Sequence, residues 1–223
     1  MKDSGMRHPL TSEVYTVVFK RSIAVIKGIL KQGKKCFRDF RRKPGKRLNV
    51  RCEDRVYMEE TILPSLAQLP DGSTVLFVGV EWYTSHYERY FQGSGVVFIT
   101  CDIEPSHVCY GSSIGHIIAD IQNMTHVTGR NVYDVAIIAG VFGYGINNEE
   151  QFNRTVASTH SLLKDNGILI VGWQWNRSLE PDSRNLDIMQ QYFKPVDGFQ
   201  GMPFHKTLIR AKYEYHIFQK RKL

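Results

Sequence analysis

The sequence has no apolar run near the roughly 20 residues that cross a bilayer, so a membrane-spanning protein is not expected. Met1 to Thr11 is polar, and no apolar block with a small-residue cleavage site follows it. No signal peptide is expected, and the expected location is cytoplasmic. Cysteine is scarce, with Cys36, Cys52, Cys101 and Cys109 only. None belongs to a Cys-x-x-Cys pair and no histidine stands at zinc-finger spacing from them, so no metal ligand set is read here. Cys101 lies inside an apolar run and reads as a small core hydrophobe. Also missing is Gly-x-Gly-x-x-Gly, which weakens a nicotinamide-dependent oxidoreductase.

What is present is an ordinary globular balance, with 42% hydrophobic and 23% charged residues in a chain of 223. That length suits one α/β domain with an appendage. The net charge of +7 is unevenly placed: residues 1–55 hold 16 Lys/Arg against 5 Asp/Glu, and the remainder holds 13 against 17. We therefore read a basic extension over 1–55 and a mildly acidic body over 56–223. Tyr15, Phe19, Ile23, Ile26 and Leu30 recur at helical spacing between Ser12 and Arg42, with Lys20, Lys27, Lys31, Lys34 and Arg38 on another face. Such a helix either docks its apolar face on the body or carries residues 12–47 to an anionic membrane surface or an acidic partner, as a peripheral attachment. It lacks the interleaved aromatics of a single-strand platform, so nucleic acid is not an expected partner.

Beyond the extension, a helix is predicted over 55–68, bent or ended by Pro64. Apolar runs follow at Thr74–Val78, Val96–Cys101, Ile117–Ala119, Val132–Ala139 and Ile168–Trp173. Helical stretches are read at 84–92, 148–163 and 187–193. Fully apolar runs alternating with helices imply buried parallel strands. Two more amphipathic runs, 206–210 and 213–219, suit the antiparallel edge of a mixed sheet. The expected fold is a Rossmann-like three-layer sandwich with a seven-stranded, mostly parallel sheet and one antiparallel strand near the C-terminus.

In such a sheet, ligands sit at the carboxyl ends of the strands where strand order reverses. The first strand there ends in Val78-Gly79-Val80-Glu81-Trp82, and Gly79 would let a ligand approach the backbone. The helix read after it would offer N–H groups to negative charge. Asp102 ends the second strand, 23 residues after Gly79, where an acid accepts hydrogen bonds from a ribose diol. The alternative for Asp102 is a cap on the next helical turn, with Pro105 at an early helical position. After the fourth strand, Gly140-Val141-Phe142-Gly143-Tyr144-Gly145 is a glycine-rich, aromatic-bearing loop. His86, His107, His116 and His205 lie near predicted strand ends, but none is assigned a catalytic role.

Five features in order resemble the class I S-adenosylmethionine-dependent methyltransferases. They are the strand ending in Gly79, the acid Asp102, the segment Ala119-Asp120, the strand Tyr133-Asp134-Val135-Ala136-Ile137-Ile138, and the turn Leu162-Leu163-Lys164-Asp165-Asn166-Gly167-Ile168-Leu169-Ile170. They span about 70–175, and the two closing runs extend the match to about 219. The resemblance implies S-adenosyl-L-methionine as cofactor, with Asp102 on the ribose and Asp120 on the adenine amino group. Gly79, Ile103, Ile121 and Gly140 complete the implied contacts. Where the family's first motif has an acid and alternating glycines, this chain has Phe77, Gly79, Glu81 and Tyr83. Either Glu81 and Tyr83 themselves line the cofactor pocket, or cofactor binding is lost. The Asn/Asp-Pro-Pro-Tyr/Phe motif of enzymes that methylate amino groups of DNA or protein is missing. The resemblance thus points to a small-molecule, glycan or lipid-linked acceptor, held between Phe142, Tyr144, Trp173 and Trp175. The alternative is an inactive Rossmann-like module that binds a nucleotide or a partner.

Overall fold

The computed structural model describes residues 52–175 and 187–223. The predicted basic helix over 12–42 lies outside them. Helix α1 runs Glu53–Tyr57, widens into a π-helical turn over Met58–Ile62 and resumes as Leu63–Leu66. The widening has a sequence cause. Pro64 has no N–H to give the carbonyl of Glu60, and the N–H of Leu63 reaches back five residues to the Met58 carbonyl. The proline is thus absorbed without ending the helix.

The sheet strands are β1 (Thr74–Val78), β2 (Val97–Asp102), β3 (His116–Ile118), β4 (Tyr133–Ala139), β5 (Leu163–Gln174), β6 (Phe193–Pro195), β7 (His205–Leu208) and β8 (Tyr213–Lys220). Their order is β3-β2-β1-β4-β5-β8-β6, with β7 also paired to β8. β1 to β5 are mutually parallel, and β8 runs antiparallel to β5, β6 and β7. The antiparallel strand falls where the sequence placed it. The count is eight rather than seven because the outermost strand is interrupted. β6 pairs with Phe218–Lys220 and β7 with Tyr213–His216, along one edge of β8. Ile217 bridges the gap: its carbonyl accepts from Val196 and its N–H donates to the Phe204 carbonyl. Residues 197–203 leave the edge between these points, and the Asp197 carboxylate pins their return through the Phe204 N–H.

Period-two alternation sorts the core into two layers. Val75, Phe77, Val135, Ile137, Ile168 and Ile170 pack with Met58, Ile62, Leu63 and Leu66 of α1. Leu76, Val78, Ala136, Ile138, Leu169 and Val171 face the other side. There they meet α3 (Glu149–Leu162), through Phe152, Val156 and Leu162, and α4 (Asp187–Tyr192), through Met189. α3 begins where the side chain of Asn148 accepts from the Gln151 N–H. A short helix α2 (Thr125–Thr128) precedes β4. Residues 84–92, predicted helical, form only a 3₁₀ segment, Tyr87–Phe91. The hydroxyls of Thr84 and Ser85 bond the carbonyls of Glu81 and Trp82 three residues back, favouring successive tight turns over a helix. No helix among the described residues is long and apolar enough to cross a membrane.

At the amino ends of the strands, Asp134 ties β1, β4 and β5 together. Its Oδ2 accepts from the Thr74 N–H at 2.7 Å, the Thr74 hydroxyl at 3.0 Å and Lys164 Nζ at 2.7 Å. Burial acts to raise this carboxyl, but the hydrogen bonds from Lys164 and Thr74 outweigh it and hold it below the usual aspartate range. A depressed folded-state value contributes stability above the unfolded pKa of about 3.9, lost as pH falls through the folded value. Asp134→Asn should therefore destabilise the protein by about 1–3 kcal/mol at pH 7 in urea denaturation. The gap between variant and parent should close as pH falls below about 4. A pH-independent gap would show that the carboxylate charge is not what ties these strands.

Candidate functional site

Strand order reverses between β1 and β4, which hydrogen-bond side by side while their following strands, β2 and β5, lie on opposite flanks. The chain leaves both strands through a glycine in the left-handed region, Gly79 at φ +86° and Gly140 at φ +72°. A Cβ on Gly79 would lie 2.9 Å from Val141 Cγ2, whereas one on Gly140 would meet open space. The edge is stitched by backbone hydrogen bonds: Gly79 N–H to the Cys101 carbonyl, Ala119 N–H to the Asp102 carbonyl, and Trp175 N–H to the Lys212 carbonyl. Gly79, Asp102, Asp120, Gly140 and Trp175 thus stand at or just beyond the carboxyl ends of five adjacent strands.

Asp102 is the buried charge of this edge. Its Oδ2 accepts the Val80 N–H at 2.8 Å and its Oδ1 the Glu104 N–H at 2.8 Å. Oδ1 keeps one further lone pair. His107 Nδ1 lies 3.3 Å from Asp102 Oδ2, and its Nε2 lies 3.9 Å from Glu81 Oε1. The imidazole therefore sits between the two acids. Beside it, Ile103 is 63% exposed, whereas Ile121 is buried in the core. Asp120 caps a 3₁₀ turn by accepting from the Gln122 N–H and its side-chain amide.

The crowded first loop is a real feature. Glu81 closes a turn with Thr84 through its N–H to the Thr84 hydroxyl and its carbonyl to the Thr84 N–H. The ring of Tyr83 lies under the Arg55 guanidinium, 3.7 Å from its centroid, and edge-on to Trp82. Burial raises the Tyr83 phenol, with Arg55 opposing. The loop after β4 is less adaptable than its glycines suggest. The N–H groups of Tyr144, Gly145 and Ile146 all point to the Val141 carbonyl, and Gly143 N–H closes onto Ile146. Phe142 and Ile146 are buried, while Tyr144 at the tip is 57% exposed.

Of the four aromatics read as an acceptor wall, Phe142 and Trp173 pack on each other and on Phe152 in the core. Tyr144 and Trp175 reach the surface, Trp175 at 38% exposure. The other histidines are elsewhere. His86 pairs with Glu59 at 3.2 Å. His116 bonds the Thr100 hydroxyl, and burial lowers its pKa. His205 pairs with Glu214. Burial pushes the Cys101 thiol up to about 12, with Asp102 adding to the rise, so it is an inert core group.

Three contacts escape sequence reasoning. His107 reaches back to Asp102 across a turn whose path no periodicity encodes. Val141 fills the space that only a glycine at 79 leaves. Tyr213, fully buried and raised well above the usual phenol range by desolvation, meets the backbone of Gly140.

No family model and no curated protein matches the chain by sequence. Solved structures do match its fold. The N-methyltransferase NodS from Bradyrhizobium japonicum WM9, in complex with S-adenosyl-L-homocysteine, superposes with TM-score 0.59 at 13% identity, over 86% of this chain and 99% of that one. A TehB-like SAM-dependent methyltransferase from Corynebacterium glutamicum gives TM-score 0.53 at 15% identity, over 86% and 97%. The 1,6-didemethyltoxoflavin-N1-methyltransferase of Burkholderia thailandensis gives 0.51 at 14%, over 97% and 94%. The chain thus has the Rossmann-like fold of class I methyltransferases.

The two glycines separate conformational strain from crowding. Gly79→Ala should cost more than about 1 kcal/mol in chemical denaturation. Gly140→Ala should cost less than Gly79→Ala, since its added methyl meets nothing. Equal penalties would show that Val141 does not press on Gly79.

Proposed function

We propose that this chain is an S-adenosyl-L-methionine-dependent methyltransferase acting on a small-molecule, glycan or lipid-linked acceptor. The observation that carries the reading is the buried Asp102 at the end of β2, beside the reversal between β1 and β4 and next to the exposed Ile103. Oδ1, which accepts only the Glu104 N–H among the described contacts, keeps a lone pair for a ribose hydroxyl, and Ile103 offers an apolar shelf for a flat base. The open space at Gly140 admits a ligand close to the backbone. Asp120, at the start of the next turn, suits the adenine amino group. These residues fit the cofactor, and two of the similar structures carry S-adenosylhomocysteine.

When bound, the cofactor supplies a methyl group already activated by its sulfonium. The protein's task is to place the acceptor's nucleophile in line with that methyl and to exclude water. Gly79 and Gly140 set the floor, and exposed Tyr144 and Trp175 offer flat surfaces to an acceptor. Phe142 and Trp173 serve from beneath by fixing the loop that presents Tyr144. Methyl transfer from a sulfonium rests chiefly on positioning, and no general base is assigned.

One observation favours a second reading. The imidazole of His107 occupies the gap between Asp102 and Glu81, where the ribose would approach. On that reading the chain is a Rossmann-like module that holds no cofactor. Calorimetry separates the two. Asp102→Ala should weaken S-adenosylhomocysteine binding at least about tenfold, since each hydrogen bond to a carboxylate is worth roughly 1.5–3 kcal/mol. Asp120→Ala should weaken it less. Unchanged affinity in both variants, with circular dichroism showing an intact fold, would remove these residues from the site.

A further inference from the structure

Away from the cofactor edge, three potential ligands converge on the outer hairpin. Alternation along β7 and β8 places His205, Glu214 and His216 on one face, with His205 directly opposite His216 in the register. Glu214 Oε2 lies 3.1 Å from His205 Nε2 and 3.3 Å from His216 Nε2. One ligand atom from each residue falls within 4.8 Å of the other two. A fourth polar group, the Thr207 hydroxyl, is 3.1 Å from His205 Nε2.

We propose that His205, Glu214 and His216 form a binding site for a divalent transition-metal ion of the zinc type. Zinc bound tetrahedrally at about 2.0–2.1 Å holds its ligand atoms about 3.3 Å apart. Two of the three separations are already close to that value. Two imidazoles and one carboxylate are a zinc-type donor set, and three protein ligands leave a fourth position for water. The setting also suits an ion. His216 is fully buried, Glu214 is 16% exposed and His205 is 28% exposed at the side chain, so the site is sheltered yet reachable from the His205 side. Apolar groups surround it. Phe204 packs 5.7 Å from the His216 ring, and Trp173 is the cross-strand neighbour of Glu214. An apolar shell lowers the local dielectric and strengthens metal–ligand attraction.

The ion would have a structural task. β7 is an outer strand whose one strand partner among the described residues is β8, and it follows the 197–203 excursion from the sheet edge. Cross-linking His205 on β7 to Glu214 and His216 on β8 would fasten the returning strand. None of these ligands belongs to the proposed cofactor contacts, so this inference stands apart from the methyltransferase reading.

Untagged full-length protein, stripped with a chelator, would be titrated with zinc against a chromophoric competitor, and with cobalt by visible absorption. The expected result is one saturable site per chain, with cobalt bands of a low-coordinate centre. Glu214→Gln, close to isosteric, and His205→Ala should each weaken zinc at least about 100-fold. His126→Ala, on an exposed turn of helix, should leave affinity unchanged. Zinc should raise the melting temperature of the parent and not of the two ligand variants. Failure to saturate at one ion per chain, or affinity retained in Glu214→Gln, would overturn the proposal.

Discussion

The crevice between β1 and β4 is the constraint on which the site depends. Two strands lie side by side, and their chains depart toward opposite flanks of the sheet. Both exits disfavour a side chain: Gly79 and Gly140 take a positive φ. The gap is kept in shape from behind. Val141 packs against Gly79, and Tyr213 reaches the Gly140 backbone from β8. The antiparallel strand β8, on the far side of β5 from β4, thus takes part in shaping the crevice.

Charge is distributed along the strands in a way that separates holding from binding. At the amino ends, Asp134 has Thr74 and Lys164 as partners, and its carboxylate is used up in joining three strands. At the carboxyl ends, Asp102 organises the chain through Val80 and Glu104 and still has a lone pair on Oδ1 in reserve. The two aspartates look alike in sequence, each in an apolar run. Only the partners around them distinguish the strand tie from the carboxylate proposed to meet a ribose.

Much of the fold was legible because buried parallel strands leave a strong mark. The runs at Val75–Val78, Val135–Ala139 and Ile168–Trp173 carry no charged side chain, since both faces are covered. Tyr133-Asp134 and Leu163-Lys164, the two most family-like segments, meet in space through the 2.7 Å contact of Asp134 with Lys164. What stayed hidden was decided by local competition or by distant contacts. Residues 84–92 carry helical spacing in Tyr87 and Phe91, yet side-chain hydroxyls turn them into tight turns. The outer strand divides because residues 197–203 leave the sheet and Ile217 bridges the gap, which no apolar pattern announces. Phe142 and Trp173 read equally as wall or core from residue type, and burial places them in the core. His107 is the clearest case: its sequence neighbourhood gives no reason to place it between Asp102 and Glu81.

On the proposed function, the edge formed by Gly79, Asp102 and Gly140 selects an adenosine ligand bearing a sulfonium or thioether over a dinucleotide. Titration of the unmodified chain with S-adenosylmethionine, S-adenosylhomocysteine and NAD in parallel tests it most directly. The expected result is saturable binding of the first two at one per chain and no binding of NAD. Binding of NAD alone, or of none of the three, would contradict it.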